Sequence, residues 1–179
     1  VCFPPPPAVG ETIEATDLIV LGDMIQDPGN AGTIIRTAEA AGAGGVFFTV
    51  GSVYPYSDKV LRASMGSLFR LPVAVLPDGG QQLYDCCLNH GWQPIFTVPD
   101  GGRPWWQVDF TKPTLLVVGN EGAGISPELL TRKEGLKVSI PLASPVESLN
   151  VAIAGAVLLF EVVRQRSCST SCKGPHLML

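Results

Sequence analysis

Three segments of this chain combine polar side chains with glycine or proline at places where a predicted strand ends. They are residues 27–38 (DPGNAGTIIRTA), 119–124 (GNEGAG) and 140–150 (IPLASPVESLN). Parallel α/β sheets bind their ligands in loops beyond the carboxyl ends of the strands. These three segments are therefore loops to inspect for a ligand site.

In the first segment, a Pro-Gly turn leads into a helix that carries Arg36 in its second turn. The apolar residues Ile34, Ala38 and Ala41 mark the buried side of that helix, and Arg36 lies off this stripe. A charged side chain just above a strand end is well placed to face a ligand crevice. A surface arginine fits the same pattern equally well.

The second segment is glycine-rich, and glycine lets a ligand approach the backbone closely. Its G-x-x-G-x-G spacing differs from the dinucleotide fingerprint and has no Lys-Ser/Thr pair of a phosphate loop, which disfavours a nucleotide-binding oxidoreductase. In the third segment, Ser148 is predicted to cap the last helix, with Asn150 as a neighbouring polar residue.

Apolar runs and helical patterns alternate between these segments. Strands are predicted at 18–21, 46–50, 73–76, 95–98, 115–118 and 138–140, and helices at 31–41, 57–68, 81–89, from 127, and 149–166. This alternation predicts an α/β fold with a mostly parallel sheet covered by helices on both faces. Residues 1–16, with the run Pro4–Pro7, are predicted to be a Pro-rich linker, 17–166 one folded domain, and 167–179 a disordered tail.

Composition narrows the classes of function. The net charge of −4 argues against a simple nucleic-acid-binding module, because phosphate contacts usually require a basic excess. Five cysteines without a C-x-x-C pair favour reduced thiols and a cytoplasmic location. His90 and His176 lack ligand spacing, so no metal site is expected. No apolar run reaches the length of a membrane span, and no signal peptide is predicted.

Taken together, the motifs NAGTIIRTAEAAGA, LLVVGNEGAGIS and VSIPLASPVESLNVAIAGAVLLFEVVRQR resemble, in this order, those of the SpoU/TrmH family of SPOUT methyltransferases. The segment KVLRASMGSLFRLPV is typical of members that modify bacterial-type rRNA. The resemblance covers residues 17–166, which would then be the catalytic domain. It implies a C-terminal deep trefoil knot, a homodimer, and methyl transfer from S-adenosylmethionine to a ribose 2′-hydroxyl of RNA, with rRNA favoured over tRNA.

The resemblance also implies roles for individual residues. Arg36 would accept the hydroxyl proton, or else orient the hydroxyl, since a free guanidinium is a very weak base. The implied catalytic set is Arg36, Asn30, Glu121, Ser148 and Asn150. The implied cofactor contacts are Thr97, Gly119, Asn120, Gly124, Ile140, Leu142, Ser148 and Leu149.

Several alternatives stay open at this point. Lys59, Arg62 and Arg70 form either a basic edge that faces RNA or an ordinary solvated helix face. Many rRNA-modifying relatives carry an N-terminal RNA-binding domain that this sequence does not show, which leaves the RNA substrate undetermined. The alternatives are a tRNA 2′-O-methyltransferase, a base methyltransferase of the same superfamily, and a cofactor-binding RNA-binding module without activity.

Overall fold

A computed structural model of the chain describes residues 9–143 and 148–169. Within these residues, seven strands form one sheet in the order β3-β2-β1-β6-β4-β7-β5, and every neighbouring pair is parallel. The strands are β1 (Leu18–Gly22), β2 (Gly45–Thr49), β3 (Val73–Leu76), β4 (Gln93–Thr97), β5 (Arg103–Pro104), β6 (Thr114–Val118) and β7 (Leu136–Ser139). The predicted α/β fold with a parallel sheet is confirmed.

Helices cover both faces of this sheet. They are α1 (Val9–Ala15), α2 (Pro28–Ala40), α3 (Asp58–Ala63), α4 (Gln81–Asn89), α5 (Pro127–Leu130) and α6 (Val151–Ser169). Leu18 and Val20 of β1 pack in the core under α2, α3 and α6, whereas Ile19 and Leu21 pack in the core under α1, α4 and α5. The central strand is therefore buried on both faces, which explains its uninterrupted apolar sequence.

Two predicted helices differ from the structure at their ends. Helix α2 begins at Pro28, because the Asp27 carboxylate caps it by accepting a 2.8 Å hydrogen bond from the Asn30 amide. The helix predicted over 57–68 instead ends at Ala63 and resumes as a short 3₁₀ turn. Met65 and Gly66 interrupt it, since both adopt a positive φ (50° and 87°) that a right-handed helix cannot contain.

The terminal segments also differ from the prediction. Residues 9–15, predicted as part of a linker, form helix α1, whose Ile13 is buried in the core with α4. Helix α6 continues to Ser169, beyond its predicted end at Arg166. Residues 1–8 and 170–179 lie outside the described part of the chain. None of the helices in the described ranges has the length and apolarity needed to cross a bilayer.

Helix α2 packs very closely against the end of α3. A Cβ atom added to Gly32 would lie 2.4 Å from the Ala63 Cβ and 2.9 Å from the Ser64 amide nitrogen. Seven residues after Gly32, the Glu39 carboxylate accepts a 2.9 Å hydrogen bond from Arg70, which lowers the pKa of that carboxyl. One face of α2 therefore runs along residues 63–70.

The end of α6 is tied to distant parts of the chain. The Gln165 side chain donates to the Val108 carbonyl (2.9 Å) and accepts from the Phe110 amide (2.8 Å). Arg166 donates to the Asp17 carboxylate at 2.7 Å, immediately before β1. These bonds hold the last helix across the segment that leads into β6.

The α2–α3 contact predicts the effect of a single methyl group. Gly32→Ala should destabilise the protein by about 1–3 kcal/mol, because the neighbouring atoms are the Ala63 Cβ and the adjoining backbone, which cannot move away cheaply. Gly10→Ala, in α1 with open space around it, should be neutral or stabilising by up to about 1 kcal/mol. Urea denaturation of both variants measures the difference, and equal midpoints would contradict the packing argument.

Candidate functional site

A cavity of about 350 Å³ opens beyond the carboxyl ends of β4, β6 and β7. Its walls come from residues 97–99, 119–124, 138–142 and 148–158. Ligand sites of soluble proteins occupy this position in parallel sheets. The cavity is lined by Thr97, Val98, Pro99, Gly119, Asn120, Glu121, Gly122, Gly124, Val138, Ile140, Leu142, Ser148, Leu149, Val151, Ala154 and Leu158. All eight residues predicted to contact a cofactor are among them.

Residues 119–124, here named the glycine loop, form a closed turn. The main chains of Asn120 and Gly124 exchange two hydrogen bonds of 2.9 Å, and the Asn120 Oδ1 accepts from the amides of Gly122 and Ala123, also at 2.9 Å. A Cβ on Gly119 would lie 2.4 Å from the carbonyl carbon of Gly124. Glycine is therefore required at position 119, and backbone atoms form this wall of the cavity.

A polar network joins three of the five predicted catalytic residues. The Asn30 side chain donates to the Glu121 carboxylate at 2.6 Å and accepts from Asn150 Nδ2 at 2.9 Å. These contacts span 91 and 120 positions of the sequence. The network links the start of α2, the glycine loop and the start of α6, so the predicted meeting of the three motifs is present.

The cap of α6 is Asn150, and the prediction that Ser148 would fill this role is wrong. Asn150 Oδ1 accepts from the amides of Ala152 (2.9 Å) and Ile153 (3.2 Å), the two positions that a cap residue normally reaches. Ser148 lies two residues earlier and lines the cavity instead. Residues 144–147 of the third motif lie outside the described residues.

Arg36 stands apart from this network. Its side chain is exposed and makes no hydrogen bond or ion pair with another residue of the described ranges. Six helical residues separate it from Asn30, which corresponds to about 9 Å along the axis and roughly 240° around it. Arg36 shares its face of α2 with Gly32, next to residues 63–70. The described part of the chain therefore unites Asn30, Glu121 and Asn150 but not Arg36.

Sequence reasoning missed the groups behind the glycine loop. Asp23 is buried directly after β1, where its carboxylate accepts from the Thr49 hydroxyl at 2.8 Å and from the Ser126 amide at 2.6 Å. An acidic residue after the apolar run LIVLG was the available signal. Apolar wall residues such as Ala154 and Leu158 were also missed, because they read as ordinary core positions of α6.

The chemistry of the walls suits an organic ligand. The lining combines the glycine loop with apolar side chains such as Leu142, Leu149 and Val151, and Glu121 supplies a carboxylate. The fold and site thus define an α/β protein with a cavity suited to a small organic ligand at the carboxyl edge of its sheet, beside a fixed polar network.

Comparison with known proteins identifies the family. Residues 17–160 match the family model described as the SpoU rRNA Methylase family. This match covers well over half of the chain, so the chain belongs to the SpoU rRNA Methylase family, as its three motifs predict.

Similar proteins are known in several bacteria. The chain is 37% identical over 154 residues to the 23S rRNA (guanosine(2553)-2′-O)-methyltransferase RlmP of Bacillus subtilis, covering 85% of this chain and 60% of the relative. The SpoU methyltransferase AviRb of Streptomyces viridochromogenes, solved in complex with AdoMet, superposes with a TM-score of 0.77 at 38% identity, covering 83% of this chain and 57% of AviRb. The AdoMet-bound rRNA methyltransferase of Sinorhizobium meliloti superposes with a TM-score of 0.76 at 35% identity, covering 91% of this chain and 61% of that protein.

The relatives are longer than the matched region. This chain spans 52% to 60% of the length of three curated relatives that it matches.

The contact between Asn30 and Glu121 predicts the effect of placing two like charges side by side. Asn30→Asp replaces a donated hydrogen bond with two facing carboxylates, so the variant should be about 1 kcal/mol less stable at pH 7. Urea unfolding measures the loss. The double variant Asn30→Asp/Glu121→Gln, which restores an amide donor opposite a carboxylate, should recover most of it. A double variant no more stable than Asn30→Asp would refute this account.

Proposed function

We propose that this chain binds S-adenosylmethionine in the cavity and transfers its methyl group to a ribose 2′-hydroxyl of RNA, with rRNA favoured over tRNA. The observation that carries the proposal is the convergence of three loops on one cavity whose rim holds the Asn30–Glu121–Asn150 network. The 23S rRNA 2′-O-methyltransferase activity of RlmP and the AdoMet complex of AviRb support the same chemistry.

The cavity residues fit this cofactor. Main-chain groups of the glycine loop and of residues 97–99 would hold its polar parts, while Ile140, Leu142 and Leu149 supply apolar contacts. S-adenosylmethionine supplies a methyl group activated by the positive sulfonium. Glu121, among the lining residues, would offer a negative charge to this cation. The chain's contribution is to hold hydroxyl, methyl and sulfur in line, which is where most of the rate gain of such a transfer arises.

Arg36 is the proposed group that orients the hydroxyl or accepts its proton. A guanidinium is a weak base, so alignment of the hydroxyl and its neighbouring phosphate is the larger part of the role. Since Arg36 faces away from Asn30 within one subunit, we propose that it acts on the cavity of a second copy. The active form would then be a homodimer in which both chains complete each site.

The surface of α6 supports such a dimer. Ile153 and Phe160 are 52% and 51% exposed and lie seven residues apart, which places them on the same side of the helix. Helix α6 packs against α2, so a partner seated on these residues lies beside the helix that carries Arg36. Burying two large apolar side chains favours association.

We also propose that the C-terminal part of the fold is a deep trefoil knot. Helix α6 follows β7 in the chain but begins beside Asn30, passes β6 with Gly155 beside Val118, and packs on α2. Its end bonds to Asp17 before β1. This return path across the middle of the sheet supports the knot implied by the family resemblance.

RNA is proposed to approach along α2 and α3. Lys59 and Arg62 are exposed and form no ion pair with any residue in the described ranges, as is the case for Arg36. Arg70, by contrast, forms a salt bridge with Glu39, so its charge is partly neutralised within the chain. Three free cations on adjacent helices would attract phosphate despite the acidic net charge.

The first test separates binding from chemistry. Arg36→Ala should bind S-adenosylmethionine with unchanged affinity by isothermal titration, yet lose about 100-fold or more of methyl transfer to rRNA. Lys112 is a cation before β6, at the amino ends of the strands and away from the cavity. Lys112→Ala is the matched control and should stay active. Mapping the methyl group distinguishes ribose from base, and rRNA from tRNA. Unchanged transfer by Arg36→Ala rejects its role, and absent transfer by the native chain in all pools favours a non-catalytic binding module.

A second test addresses the shared site. Gly119→Ala should abolish cofactor binding because its added methyl group would force the glycine loop apart, whereas Gly122→Ala, whose added Cβ meets nothing closer than 3.7 Å, should be tolerated. Mixing the inactive Arg36→Ala and Gly119→Ala chains should restore activity, because each hybrid dimer has one site with both groups intact. Mixtures as inactive as the separate variants would show that Arg36 does not act across the dimer.

A further inference from the structure

We propose that Asp23 and Thr49 are positioning residues that set the affinity for the methyl donor without touching it. They hold the glycine loop from behind, in the shape that lines the cavity. This inference rests on the proposed function, because it assigns the glycine loop to cofactor binding. Neither residue lines the cavity, and neither belongs to the three motifs that identify the family.

Asp23 and Thr49 form one buried unit at the ends of adjacent strands. Both are only 2% exposed, and the Thr49 hydroxyl donates to Asp23 Oδ1 at 2.8 Å. Within the described ranges no cation pairs with the Asp23 carboxylate. A buried charge without a counter-ion is costly, so its two hydrogen-bond donors are essential to keep it in place.

This unit holds the far end of the glycine loop directly. The amide of Ser126, two residues after Gly124, donates to Asp23 Oδ2 at 2.6 Å. A charged acceptor makes this a stronger bond than one between neutral groups. The exit of the loop is therefore fixed to the end of β1.

The same unit holds the near end of the loop through Met24. The Met24 amide donates to Thr49 Oγ1 at 2.9 Å, which keeps this residue at a φ of 54°, a conformation rare for a side chain of its kind. In this conformation the Met24 carbonyl accepts from Asn120 Nδ2 at 2.8 Å. Asn120 in turn organises the turn from Gly122 to Gly124.

Fixing both ends matters because the loop between them is rich in glycine. A loop of this kind has many alternative shapes, and binding must otherwise supply the free energy to order it. The Thr49–Asp23 unit orders the loop before the ligand arrives. Its loss should therefore weaken cofactor binding more than it slows transfer from the bound cofactor.

The test compares two buried threonines. Thr49→Val removes the hydroxyl behind the glycine loop, whereas Thr114→Val removes an equally buried hydroxyl that donates to the Lys112 carbonyl at the opposite edge of the sheet. By isothermal titration, Thr49→Val should raise the Kd for S-adenosylmethionine about five- to tenfold. Thr114→Val should leave the Kd unchanged although its thermal stability falls by a similar amount. Thr49→Ser, which keeps the hydroxyl, should bind like the native chain.

Kinetics provide a readout that general destabilisation does not imitate. With Thr49→Val, KM for the cofactor should rise while kcat at saturating cofactor stays within about twofold of the native value. Asp23→Asn should behave similarly, and if it fails to fold, Thr49→Val decides alone. Equal affinities for Thr49→Val and Thr114→Val would overturn the positioning role while leaving the proposed function intact. Failure of the native chain to bind S-adenosylmethionine would overturn both.

Discussion

The closed turn after β6 is the constraint on which the site depends. Asn120 uses its main chain to bond Gly124 and its side chain to bond three further backbone groups, so one residue converts a flexible sequence into a rigid wall. Glu121 is presented from this wall to Asn30. If the turn were open, the Glu121 carboxylate would lie at no fixed distance from α2. Its hydrogen bond to Asn30 would then not be maintained.

Part of this arrangement follows from residue patterns. The alternation of apolar runs and helical periodicity predicts the parallel sheet, and the ends of its strands then bring Asn30, Glu121 and Asn150 to one edge. The central strands are informative because burial on both faces leaves runs such as 18–21 and 115–118 entirely apolar. The proposed knot and the proposed roles of individual residues came only from the family resemblance, since no local pattern encodes threading of a chain.

Other features escape sequence reasoning for physical reasons. Cap position depends on which side chain reaches the first free amides, and Ser148 and Asn150 are both suitable residue types two positions apart. The partners of Asp23 come from β2 and from the start of α5, so its role is visible only in three dimensions. Arg36 follows Asn30 by six positions of the same helix, so the two side chains leave the helix in different directions. A motif read as a string of letters does not show this difference.

The contacts at the two ends of α6 bear on when the cavity can be completed during synthesis. Asn150 at its start bonds to a residue 120 positions earlier, and Arg166 near its end bonds to one 149 positions earlier. Neither contact can form until both of its partners have been synthesised, and each closes a long loop. During synthesis, strands β1 to β7 are complete while the cavity still lacks Ala154 and Leu158. A nascent chain on the ribosome therefore completes the walls of this cavity only after its last described helix has emerged and docked.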